Sequence, residues 1–135
     1  MKWLADTSVW TRMGAPSVRE AVRALLGVGV VGRCAMTDLE LGFSARNGDE
    51  WDRIHTAAAA FEQVPVIAED FERACRVQRL LATAGLRGRK VPDLLIAAAA
   101  ERTGRTVLHY DHDFEHIAQV TEQPQQWIVP AGSVN

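Results

Sequence analysis

Cysteine is scarce in this sequence and its spacing is uninformative. Cys34 and Cys75 stand apart with no CxxC, which excludes a zinc ribbon and a disulfide framework and fits a reducing compartment. Long apolar runs are missing too. Asp6 interrupts the first apolar stretch and Arg102 closes the alanine-rich run Ile96–Glu101, so no segment reaches the roughly 18–20 residues of a membrane span. Met1–Asp6 lacks the length and order of a signal peptide, and a soluble cytoplasmic protein with no membrane partner is expected. Nor is there an excess of positive charge: 15 Lys and Arg stand against 17 Asp and Glu, a formal net charge of −2. That excludes coating of nucleic acid through bulk charge, so any such contact requires a local basic patch. No GxGxxG follows the first apolar run and no HExxH surrounds the histidines, which removes dinucleotide binding and zinc-protease chemistry.

What is present is a chain of 135 residues, 47% hydrophobic and 24% charged, suited to one domain over residues 1–135. Such a length buries roughly two-thirds of its unfolded surface. Lys2–Ala5 reads as a strand, and Asp6-Thr7-Ser8 as a helix start. Pro16-Ser17 opens an amphipathic helix with Val18, Ala21, Val22, Leu25 and Leu26 on one face, ended by Gly27. After the glycine-punctuated Val28–Gly32, Arg33–Met36 is a strand candidate. Thr37-Asp38-Leu39-Glu40 then has capping-box spacing for a helix running to Ala45 or Arg46. Asn47-Gly48 marks a turn before a helical pattern from Trp51 to Phe61, and Val64–Ile67 reads as a short strand. A helix over Glu69–Ala84 breaks at Gly85; Pro92-Asp93 begins another that stops at Gly104. Thr106–His109 is a strand, Asp111–Ala118 a short helix and Trp127–Val129 an edge strand. The order β, α, α, β, α, α, β, α, α, β, α, β predicts an α/β sandwich with a mainly parallel sheet, because parallel strands need helical crossovers.

Ligands of such sheets lie beyond the carboxyl ends of the strands. At that edge the reading puts Asp6 after the first strand, Glu40 in the helix after the second, Asp93 opening a helix, and Asp111 with Asp113 after the fourth strand. Each acid alone also reads as a helix cap or a charge at a helix start. Together they would repel one another unless they protonate, pair with bases or bind a cation, and oxygen-only ligand sets favour Mg²⁺ or Mn²⁺.

The strings LADTSVW (Leu4–Trp10), TDLELGFSAR (Thr37–Arg46), RGRKVPDLLIAAAA (Arg87–Ala100) and HYDHDFEHIA (His109–Ala118) resemble the four acidic motifs of PIN-domain ribonucleases. More narrowly they resemble the VapC toxins of bacterial toxin–antitoxin pairs, from Met1 to about Val129 and with no acidic position missing. The resemblance implies a three-layer α/β/α sandwich with a four- or five-stranded sheet. It implies catalytic carboxylates at Asp6, Glu40, Asp93 and Asp111, with Asp113 as an additional or alternative metal ligand and Thr7 supporting Asp6. It further implies an endoribonuclease dependent on one or two Mg²⁺ or Mn²⁺ ions, a VapB-like antitoxin partner and a homodimer.

Carboxylates of this kind suit metal-assisted phosphodiester hydrolysis with no nucleophilic side chain. Asp6, Asp93 and Asp111 are the expected direct ligands, while Glu40 either ligates through water or helps orient and deprotonate the attacking water. Arg87, Arg89 and Lys90, just before Asp93, and Arg12, after Asp6, are the candidate RNA phosphate contacts. His109, His112 and His116 are expected in surface or packing roles, and the four tryptophans in core or interface. Two rival readings are a metal-dependent DNA nuclease or phosphatase and a non-catalytic module on the same fold. The DxDxT/V signature of one large phosphatase class is missing at Asp6-Thr7-Ser8, and a non-catalytic module would have lost acids that are all present here.

Overall fold

A computed structural model describes residues 1–135. The chain runs β1 (Lys2–Ala5), α1 (Thr7–Trp10), α2 (Pro16–Leu26), β2 (Val30–Cys34), α3 (Ala35–Phe43), α4 (Gly48–Ala58), β3 (Glu62–Val64), α5 (Ala68–Thr83), α6 (Val91–Arg102), β4 (Thr106–His109), α7 (Asp113–Thr121) and β5 (Gln125–Trp127). This is the predicted alternation. The strands form one five-stranded sheet in the order β3-β2-β1-β4-β5, and each neighbouring pair is parallel. Strands added after β1 go first to one side and then, from β4, to the other. The switch in strand order therefore lies between β1 and β4, and the region beyond their carboxyl ends is where sheets of this kind bind ligands.

Alternation along each strand divides the core into two layers. Leu4, Cys34, Val64 and Val107 face one side, where they pack with Ala74, Val77 and Leu81 of α5, Leu94, Leu95, Ile96, Ala97, Ala99 and Ala100 of α6, and Phe114 and Ile117 of α7. Trp3, Ala5, Val31 and Leu108 face the other, against Val9 of α1 and Val18 and Val22 of α2. Helices thus cover both faces, the three-layer arrangement that the resemblance implies. Helix α6 is buried from Asp93 through Ala100, as its unbroken apolar sequence predicts. Its alanines let it approach the sheet while α5 and α7 flank it.

Five boundaries differ from the sequence reading, each for a physical reason. The second strand is Val30–Cys34 rather than Arg33–Met36. Gly32 lies inside it, where a Cβ would come within 2.9 Å of Arg105 Nη1, so this glycine marks a close approach rather than a loop. Helix α3 consequently starts at Ala35, Thr37 is a buried residue of its first turn, and the capping box does not form. The third strand ends at Val64, before the N–H-less Pro65; Ile67 N–H instead donates to Asp70 Oδ2 at 2.9 Å, fixing the entry to α5. Helix α7 begins at Asp113, because Asp111 accepts the Asp113 N–H on Oδ1 at 2.9 Å in a turn that precedes the helix. The edge strand is Gln125–Trp127, set by pairing of His109 with Trp127.

Candidate active site

Asp6 leaves β1 as the N-cap of α1, with its backbone N–H still bonded to Leu108 O of β4 at 2.8 Å. The carboxylate is only 3% exposed; Oδ2 accepts Ser8 N–H at 3.0 Å, while Oδ1 is buried with no hydrogen-bond partner. Asp93 sits in the first turn of α6, likewise 3% exposed and with Oδ2 lacking a hydrogen bond. Carboxylate oxygens of Asp93, Asp111 and Asp113 lie within 4.8 Å of one another. Asp6 falls outside that tight group, yet its charge acts on Asp93 and on Glu40.

Glu40 comes from α3 and is held by Thr7, whose hydroxyl donates to Oε1 at 2.7 Å. Thr7 Oγ1 also lies 3.0 Å from Thr37 Oγ1. A hydroxyl has one proton, so with Thr7 giving its own to the carboxylate, Thr37 supplies the second contact. Thr7 therefore acts on Glu40, whereas Ser8 is the residue that bonds Asp6. Ser8 Oγ in turn accepts Tyr110 N–H at 2.9 Å, tying the loop after β1 to the loop after β4.

Electrostatics follow from burial and crowding. Burial raises the Asp6 and Glu40 carboxyls above their ordinary range, in spite of the Ser8 and Thr7 hydrogen bonds that lower them. Asp93 is raised as well, by burial first and the Asp6 charge second. At Asp113 burial also pushes up, but hydrogen bonds from Asp93 and Lys90 with the charges of Lys90 and Arg89 outweigh it, and the carboxyl is lowered. Two basic groups reach in. Lys90 Nζ lies 2.7 Å from Asp111 Oδ2, 3.2 Å from Asp113 Oδ2 and 3.6 Å from Asp93 Oδ2, and Arg89 Nη1 lies 2.8 Å from Asp113 Oδ1.

The other basic candidates are disposed differently. Arg87 is exposed on the loop before α6, where Gly85 and Gly88 adopt the left-handed φ of 74° and 91°. Arg12 folds back, donating to Ser8 O at 3.0 Å with its guanidinium 4.6 Å from the centre of the Tyr110 ring. Helix α1 is a single turn, so Arg12 lies just past it rather than two turns along.

His109 is fully buried, as a packing role predicts, but it also shapes the site. Its Nδ1 accepts Asp111 N–H at 3.1 Å, which leaves Nε2 to carry the proton toward Gln125 Oε1 at 2.5 Å. The ring is neutral, and burial lowers its pKa. Ser8, Thr37 and His109 are thus supports that the sequence reading did not assign. For Ser8 and His109, a position two residues from an acid was the available signal; for Thr37, three residues before Glu40, only the fold reveals the contact.

Carboxylates thus crowd together where the strand order switches, two of them with buried oxygens that accept no hydrogen bond, and they form a candidate ion-binding site on an α/β fold. The PIN-domain model matches residues 4–120. Over 135 residues the chain is 54% identical to ribonuclease VapC51 of Mycobacterium tuberculosis, covering 100% of this chain and 98% of that protein. It is 41% identical to ribonuclease VapC18 of the same organism, covering 99% and 100%. Among solved structures, the VapBC2 complex of Rickettsia felis bound to a promoter DNA fragment superposes with a TM-score of 0.79 over 94% of this chain and 98% of that one, at 15% identity. VapBC-5 of Mycobacterium tuberculosis gives 0.66 over 96% and 98%, at 23% identity. The chain belongs to the PIN-domain family, within its VapC branch.

Proposed function

We propose that this chain is the ribonuclease toxin of a toxin–antitoxin pair, hydrolysing RNA phosphodiesters with Mg²⁺ or Mn²⁺, one or two ions. The observation that carries this reading is the pair of buried oxygens that accept no hydrogen bond, Asp6 Oδ1 and Asp93 Oδ2, the second within a group of three acids. Burying carboxylate oxygens without partners is costly, and an all-oxygen donor set fits a hard dication. Asp93, Asp111 and Asp113 would hold the ion, with Asp6 as a further ligand. When bound, the ion neutralises phosphate charge and acidifies water.

The chain's own residues do the rest. With Oε1 fixed by Thr7, Glu40 Oε2 is the atom that takes the proton of the attacking water, and burial raises its pKa, which makes it a stronger base than an exposed glutamate. In-line attack leaves a 5′-phosphate and a 3′-hydroxyl. Arg87, Arg89 and Lys90 contact phosphates on one side of the cluster, and Arg12 on the other. RNA is the favoured substrate because the relatives are named ribonucleases.

A partner protein is supported by an apolar groove lined by Trp10, Met13, Leu41, Ile54, Ala58 and Phe61, of about 450 Å³. Leu39 and Phe43 of α3 are exposed nearby, at 72% and 92%. Structural neighbours include VapBC toxin–antitoxin complexes, and we assign this chain a VapB-like antitoxin and a homodimeric state in the cytoplasm. The test is Asp6→Asn and Asp93→Asn in the full chain. Both variants should fold, yet lose metal-dependent cleavage of single-stranded RNA and growth inhibition. Full activity in either folded variant overturns the assignment, and cleavage of DNA or phosphomonoesters instead of RNA replaces it with the rival nuclease or phosphatase. Co-expression with the adjacent upstream reading frame should give a complex with suppressed activity.

A further inference from the structure

Lys90 holds an unusual place for a surface lysine. The chain has two lysines, Lys2 and Lys90. Lys2 opens β1, at the amino end of the sheet, whereas the Lys90 ammonium is set among Asp93, Asp111 and Asp113. Its nearest oxygen, Asp111 Oδ2, is the one that Asp111 has left, since Oδ1 is already taken by the Asp113 N–H. Asp113 Oδ1 is similarly taken by Arg89, leaving Oδ2 for the lysine. The oxygens that a dication would use are therefore those that Lys90 now contacts.

We propose that Lys90 is a displaceable internal counter-ion: its ammonium neutralises the acidic cluster in the cation-free chain, and a divalent ion must evict it to bind. This rests on the metal-dependent reading above and adds a residue that sets the affinity of the site. Two features make eviction feasible. The lysine side chain is 60% exposed, so its flexible stem can swing into water without opening the core. It also lies at the end of the loop containing left-handed Gly88, immediately before α6, so its movement need not disturb the helix carrying Asp93. A dication brings twice the charge to the same oxygens and wins the exchange, but its net affinity is lowered by the pairings lost. Once released, the ammonium remains beside the ion, within reach of a bound phosphate. Lys90 thus guards the empty cluster against self-repulsion and passes to the substrate when the ion arrives.

The experiment measures Mn²⁺ binding to the full RNA-free chain by calorimetry, comparing wild type with Lys90→Gln and Lys90→Arg. Removing the competing charge should tighten Mn²⁺ binding about tenfold in Lys90→Gln. Lys90→Arg, which keeps the charge, should stay near wild type. In parallel, the rise in Tm between EDTA and saturating Mg²⁺ should be larger for Lys90→Gln, because its cation-free state has lost its neutraliser. Equal or weaker Mn²⁺ binding by folded Lys90→Gln overturns the counter-ion role while leaving the metal-dependent reading intact. No Mn²⁺ binding by any of the three proteins overturns both.

Discussion

Asp70 and Asp93 lie on the packed helices α5 and α6 and are almost equally buried, at 1% and 3% exposure, yet they are handled in opposite ways. Asp70 is satisfied on both oxygens: Arg102 Nε donates to Oδ1 at 2.9 Å and Nη2 to Oδ2 at 3.1 Å, and Ile67 N–H adds a third bond at 2.9 Å. Asp93 has an oxygen with no hydrogen bond and a carboxyl raised by burial and by Asp6. A structural acid closes its lone pairs within the protein. An acid reserved for a ligand leaves them open and is crowded by others of its kind, at a cost in stability.

The sharpest way to break this contrast is to remove each carboxylate. Asp93→Asn should lower cleavage about a thousandfold, several kcal/mol of lost transition-state stabilisation, while Tm in EDTA does not fall. Asp70→Ala should do the reverse, losing about 2–3 kcal/mol of stability, or about 10 °C in Tm, with activity retained below the transition. Thermal scans with an RNA cleavage assay check both; loss of stability without loss of activity in Asp93→Asn would erase the distinction. Thr7→Val should lower kcat about tenfold with KM little changed, because it frees Glu40 without removing a ligand. A change confined to KM would assign Thr7 to substrate binding instead. Arg87→Glu should weaken RNA binding severalfold and reduce the salt slope by about 1, as read by titration at several salt concentrations.

The smallest effect concerns His109. Its folded pKa lies below the ordinary 6.5, so the unfolded chain binds the proton first as pH falls. The stability contributed by the neutral ring is intact above about pH 6.5 and is lost progressively on acidification below it. Unfolding measured between pH 8 and 5 should show a loss in wild type that is smaller in His109→Gln. Identical pH profiles would mean that the ring's neutrality does not matter to the fold.

The sequence reading located elements better than their ends. Short apolar runs, helical stripes and the capping and turn residues between them together marked all twelve. It misplaced β2 because Gly32 looks like a loop residue until Arg105, from the far side of α6, is seen crossing above it. It mistook Thr37 and Glu40 for a capping box because the spacing is right, although the true partner of Glu40 is Thr7, from a different strand–helix turn. The acids themselves were legible, and Asp93, Asp111 and Asp113 do come together. Arg89 and Lys90, read from proximity in sequence as groups for RNA phosphates, are paired with those acids in the structure, a contact that sequence proximity did not reveal.

Local chemistry by itself determined the strand and helix order, the parallel topology that follows from helical crossovers, and the set of acids left at strand ends. These depend on hydrophobic period and turn residues within a few positions of one another. Only the tertiary structure decided which carboxylate oxygens stay open, which hydroxyl holds Glu40, and that the one lysine near the site lies in the acidic cluster. Hydrogen bonds form over about 3 Å of space, whereas the residues that make them here are separated by 21 to 33 positions along the chain.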